Sequence, residues 1–158
     1  MTGLRQLAGQ TVIYGASSVI GRILNYVLVP LYTAVFSPAQ YGVVTELYGY
    51  VAFLNILYAY GFETSYFRFS TKDGNEDRYF NTAQSSLLIS SILFSGILIV
   101  LAEPISVLLG YEGHADHIIW LALILGIDAL VVVPFARLRL ENKAVRFASL
   151  KLINITLN

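Results

Sequence analysis

The chain has 158 residues, of which 56% are hydrophobic and only 13% charged. Counting its 12 glycines raises the apolar share to about 64%, where a soluble domain has about 45–50%, so a solvated globular domain is excluded. Ten basic residues cancel ten acidic ones, which excludes a global field for nucleic acid, and the absence of cysteine excludes disulfides and thiolate chemistry.

Residues 11–36 carry one charge, Arg22, and form the first expected membrane span, since about 20 apolar residues cross a bilayer. This run is too long for the apolar region of a signal peptide. Gly15, Ser18, Arg22 and Asn25 recur every three or four residues and make one polar stripe. Pro30 lies inside the run and is expected to kink it. Ser37-Pro38-Ala39-Gln40 has the form of a capping box, serine at the N-cap and glutamine three residues on, so the second helix starts at once.

The second expected span covers residues 42–64, with Glu46 near its start. Thr45, Gly49, Ala52, Asn55 and Ala59 give it a stripe of small and polar residues. Residues 68–79 form a connection holding Arg68, Lys72 and Arg78 around a solvated turn. The third span, residues 81–102, carries no charge; its pairs Ser86/Ser90 and Ser91/Ser95 suit close helix packing. Residues 105–109 are apolar but too short to span, and are expected at the membrane interface. The fourth span covers residues 117–138 and contains Asp128; a fifth begins at residue 144 and runs to 158. The fold class is all-α: a polytopic membrane helix bundle of four transmembrane helices plus the start of a fifth, in one membrane domain over residues 1–158.

Orientation follows from the basic residues. Arg5, the 68–79 connection and the cluster Arg137, Arg139, Lys143 and Arg146 share one side, whereas residues 37–41 and 103–117 contain no Lys or Arg. The positive-inside rule places the amino terminus in the cytoplasm.

Several motifs have plain readings. Gly15-Ala16-Ser17-Ser18-Val19-Ile20-Gly21 is similar to a dinucleotide loop, yet Val19 replaces the central glycine and the segment lies inside a long apolar helix. His114, Asp116 and His117 beside Glu112 are read as a charged external loop rather than a metal site, because no helix fixes their geometry. Asn154-Ile155-Thr156 has the form of a glycosylation sequon but falls in an apolar run. No P-loop is present. No catalytic residue, metal or cofactor is expected, and the chain is not read as an enzyme.

The charges inside the spans carry the functional reading. A cation near mid-membrane costs about 2.5–3.5 kcal/mol and faces a cavity or a partner. By helical rise, Arg22 and Asp128 both lie within about 3 Å of the bilayer centre. They are expected on adjacent helices, paired or bridged by water, with Asp128 alternatively serving proton or sodium coupling.

Taken together, several pieces resemble the amino-terminal third of polysaccharide-biosynthesis membrane proteins, the O-antigen-type flippases of the MATE-like superfamily. They are the polar first helix with its arginine, Phe36-Ser37-Pro38-Ala39-Gln40-Tyr41-Gly42, Tyr60-Gly61-Phe62-Glu63-Thr64-Ser65 running into Arg68-Phe69, Pro134-Phe135-Ala136-Arg137-Leu138-Arg139, and Glu141-Asn142-Lys143-Ala144. The resemblance implies one part of a bundle of twelve to fourteen helices around a central cavity, so the chain is expected to be an amino-terminal fragment. It also implies flipping of undecaprenyl-diphosphate-linked oligosaccharide across the inner (cytoplasmic) membrane by alternating access, for surface polysaccharide such as lipopolysaccharide. The partners would be that lipid-linked oligosaccharide, the bilayer and the polysaccharide assembly machinery, with no nucleic acid. On this reading Arg22 meets the phosphates, Asn25 and Asn55 line the route, and Arg68 receives the headgroup. A cation-coupled small-molecule exporter using Asp128 or Glu46 is the alternative; a membrane glycosyltransferase or polymerase ranks below it.

Overall fold

The computed structural model describes the backbone of residues 2–73 and 75–157. It describes their side chains except those of residues 2–10, 13, 14, 17, 18, 21, 24, 25, 73 and 154–157. The described residues form α-helices and no strand: α1 (Thr2–Val35), α2 (Pro38–Ala59), α3 (Phe62–Asp73), α4 (Glu76–Val100), α5 (Ala102–Leu108), α6 (Ala115–Leu140) and α7 (Ala144–Leu157). They fall into two compact units, Met1–Val44 with Arg137–Asn158, and Thr45–Ala136.

Among the described residues, three stretches are long and apolar enough to cross a membrane. They are Pro38–Lys72, counted through the break after α2, Glu76–Val100 and Ala115–Leu140. In α1 the described apolar stretch is Tyr26–Val35, and α7 has 14 residues. The expected count of four spans and the start of a fifth is finer than these three.

In the first unit α1 continues through Pro30, and the Thr33 hydroxyl donates to the Pro30 carbonyl at 3.0 Å. The expected capping box is formed. The Ser37 N–H donates to Gln40 Oε1 at 3.0 Å, and the Gln40 N–H returns to Ser37 Oγ at 3.4 Å. Helix α7 packs against α1. The end of α6 closes with Asn142 at φ 56. There the Lys143 N–H reaches the Leu138 carbonyl at 2.9 Å and the Asn142 N–H the Arg139 carbonyl at 3.1 Å. This is a Schellman ending with asparagine in the left-handed position.

In the second unit the chain breaks at Tyr60 and Gly61, both at positive φ, and resumes as α3. The expected connection over residues 68–79 is therefore mostly helical: α3 reaches Asp73 and α4 begins at Glu76. Tyr66 anchors the hairpin. It is 2% exposed, its ring sits edge-on to Phe80, and its hydroxyl donates to Glu76 Oε1 at 3.2 Å. Glu76 and Asp77 in the first turn of α4 suit the positive end of the helix dipole. The core joins Tyr58 of α2 with Leu121, Leu125 and Ala129 of α6, flanked by Leu47, Val51, Leu54 and Leu98.

Candidate functional site

The second unit turns large apolar side chains outward as well as inward, and buries serines among them. On α4, Ser91 is 3% exposed while its neighbour Ile92 is 65% exposed. On α6, Ala122, Leu125, Ala129 and Val133 are buried, whereas Trp120, Ile124 and Ile127 are exposed. Without water outside, helices associate through small residues and hydrogen bonds rather than through aliphatic burial.

Those hydrogen bonds are concrete. Ser95 Oγ donates to the Ala122 carbonyl at 2.8 Å and lies 3.1 Å from the Tyr58 hydroxyl, linking α2, α4 and α6. Gly126 permits this approach, since a Cβ there would meet Ser95 Oγ at 2.8 Å. The Tyr60 hydroxyl donates to Ser90 Oγ at 3.3 Å. Pro134 has no N–H to give the carbonyl four residues earlier. That carbonyl, of Leu130, instead accepts from Gln84 Nε2 at 3.0 Å.

A second polar group lies near the start of the unit. Glu46 Oε1 accepts from the Tyr50 hydroxyl at 2.8 Å, and Oε2 accepts from the Tyr111 hydroxyl at 2.6 Å. Tyr50 sits one helical turn from Glu46 on α2, so their meeting is local. Tyr111 is delivered by the ending of α5: Gly110 is at φ 79, and the Tyr111 N–H donates to the Ser106 carbonyl at 2.7 Å. The bond to Glu46 pushes the Tyr111 phenol up to about 12, because ionising it would set two negative charges side by side.

At the end of α6, Glu141 Oε1 accepts from Arg137 Nε at 2.9 Å and Oε2 pairs with the Lys143 ammonium. Lys143 first, then Arg137, holds the Glu141 carboxyl below its ordinary range. The Phe147 ring is buried, with Arg139 Cζ 5.6 Å and Lys151 Nζ 5.7 Å from its centroid.

The residues expected to serve transport are distributed as follows. Arg22 is exposed on α1 and belongs to the first unit. The Asn25 side chain lies outside the described residues. Asn55 is half-buried on α2, Arg68 is exposed on α3, and Asp128 is exposed on α6, all in the second unit. Helical spacing in the sequence puts Asp128 on one face with Leu121, Leu125, Val132 and Phe135. The buried stripe instead passes from Leu125 to Ala129 and Val133, leaving Asp128 beside it. Glu46 is the member of this set with a described local network, the two tyrosines.

Residues 33–158 match the polysaccharide biosynthesis protein family. The chain belongs to that family. No curated protein and no solved structure matches it. Family membership and the three apolar helices together mark a membrane protein. In this polysaccharide biosynthesis protein, sequence reasoning missed Tyr111, Tyr58 and Gln84. The Glu46/Tyr50 spacing was readable on one helix. The other partners come from distant segments and leave no periodic signal, although Pro134 does announce that some group must serve the Leu130 carbonyl.

Proposed function

We propose that this protein takes part in flipping undecaprenyl-diphosphate-linked oligosaccharide across the cytoplasmic membrane by alternating access, as a non-enzymatic transporter. The observation that carries the reading is the family match over residues 33–158. The hydrogen-bonded interior of α2, α4 and α6 supports it, because a carrier of polar sugars needs helices that hold polar groups away from lipid. On this reading four helices span the bilayer, around residues 11–36, 42–64, 81–102 and 117–138, with a fifth from 144 to 158 and the amino terminus cytoplasmic.

Arg22 is the proposed phosphate ligand, because arginine stays charged and donates in a planar fork. Asn25 and Asn55 line the route, and Arg68 receives the headgroup at the cytoplasmic end. Asp128 is the proposed carboxylate for ion pairing or for coupling within the membrane. The test is complementation of surface polysaccharide in cells that depend on this protein. Arg22→Ala should abolish it at unchanged membrane abundance, and Asp128→Asn should weaken it less. Normal complementation by Arg22→Ala would overturn the assignment of Arg22. Drug efflux with polysaccharide unaffected by loss of the protein would instead favour an exporter coupled through Asp128 or Glu46.

A further inference from the structure

Among the described residues, outside those assigned to transport, one cluster carries metal-ligand chemistry. His114, Asp116 and His117 each offer a donor atom, and these atoms lie within 4.8 Å of one another. Sequence alone gave no reason to expect a fixed geometry there. The structure supplies it. Helix α6 starts at Ala115, so Asp116 and His117 stand on its first turn rather than on a loop. Gly113 at φ 78 turns the chain into the helix, the His114 N–H donates to the Tyr111 carbonyl at 3.0 Å, and the His117 N–H donates to the His114 carbonyl at 3.1 Å. The two imidazoles are stacked, with centroids 5.2 Å apart and planes 22° apart.

Two further observations point to a cation. His117 Nδ1 is buried with no hydrogen-bond partner among the described residues, whereas a settled histidine ordinarily engages its buried ring nitrogen. In addition, residues 103–117 contain Glu103, Glu112 and Asp116 but no Lys or Arg, so no ammonium or guanidinium of that segment competes for the site.

We propose that His114, Asp116 and His117 form a binding site for a divalent transition-metal ion, zinc first, at the amino-terminal turn of α6. Two imidazoles and one carboxylate are a borderline-soft donor set that suits zinc over magnesium or calcium. Bonds of about 2.0–2.2 Å place tetrahedral donors roughly 3.4 Å apart, so side-chain rotation of about 1 Å closes the site. The Tyr111 ring stands edge-on to His117 at 6.3 Å, and its hydroxyl is bonded to Glu46. An ion held by His117 therefore fixes the turn that carries the Tyr111–Glu46 bond. The site is independent of the transport reading.

The test uses the whole chain, without a histidine tag, in detergent micelles. Calorimetric titration with zinc should show one ion per chain, and millimolar magnesium should not displace it. Cobalt should give visible ligand-field bands. His114→Ala and His117→Ala should each weaken zinc binding at least tenfold, and Asp116→Asn several-fold, with helical circular dichroism unchanged. Absence of saturable zinc binding and of cobalt bands in the unmodified chain would overturn the proposal. So would undiminished binding by the folded double variant His114→Ala/His117→Ala, or displacement by magnesium.

Discussion

Gln84 Nε2 on α4 donates to the Leu130 carbonyl of α6 at 3.0 Å, filling the place that Pro134 leaves without a helical donor. A side chain from one helix thus completes the backbone ladder of another. Gln84→Leu should destabilise the protein by about 0.5–1.5 kcal/mol, the net worth of one hydrogen bond, since the Leu130 carbonyl loses its donor while the unpartnered Gln84 Oε1 is removed with it. In a Pro134→Ala background the backbone N–H returns and the same substitution should cost clearly less. Denaturant titration of the four proteins of this cycle in detergent measures the coupling.

Gly126 and Ser95 make a second steric test. Gly126→Ala sets a methyl 2.8 Å from Ser95 Oγ. Overpacking of this kind costs about 1–3 kcal/mol. Adding Ser95→Ala removes the clashing oxygen and leaves the new methyl 3.9 Å from the remaining Cβ, an ordinary contact. The double variant should therefore be more stable than the sum of the two single losses predicts, by the same unfolding measurement.

Tyr111 gives a pH-dependent signature. Its phenol is held up to about 12 by Glu46. A group with a raised folded pKa stabilises fully below its unfolded value, about 10 for tyrosine, and loses that contribution as pH rises through about 12. Ultraviolet titration of phenolate absorbance should show a late-titrating component that is diminished by one tyrosine in Tyr111→Phe. In Glu46→Gln that tyrosine should titrate earlier.

Glu141 behaves in the opposite sense. Its carboxyl is lowered by Lys143 and Arg137, so its contribution is present above the unfolded value and is lost as pH falls through the lower folded value. For a screened, solvent-facing pair the effect is about 0.2–1 kcal/mol. The stability gap between the unmodified protein and Glu141→Gln, measured by denaturant titration, should close as the solution is taken from pH 7 to pH 3.

Asn142 tests the ending of α6. At φ 56 a side chain with a Cβ is strained, and asparagine tolerates the position better than alanine. Asn142→Ala should cost about 1 kcal/mol and Asn142→Gly should be near neutral, both read from thermal unfolding.

What could be read from the sequence was local in origin. The Ser37–Gln40 box needs only four residues and formed as expected. The Ser91/Ser95 pair suits helix packing by its spacing, and in the structure Ser91 is buried and Ser95 bonds across to α6. Helix α3 escaped notice because Tyr60, a residue that rarely takes positive φ, shares the break with Gly61. The charges of residues 68–79 also suit a connection, although Tyr66 and Ser70, one turn apart, bury the inner face of α3. For Asp128, a face counted in steps of three and four had two solutions. Packing against Tyr58 selected the one through Ala129.

The inward-facing hydroxyl and amide groups also bear on how the protein is made. Ser95 and Gln84 lie on α4, yet the carbonyls they serve, Ala122 and Leu130, lie on α6, which leaves the ribosome later. Until α6 enters the membrane, these polar groups of α4 have neither of those acceptors. The arrival of α6 thus ties completion of this hydrogen-bonded helix group to the order of synthesis.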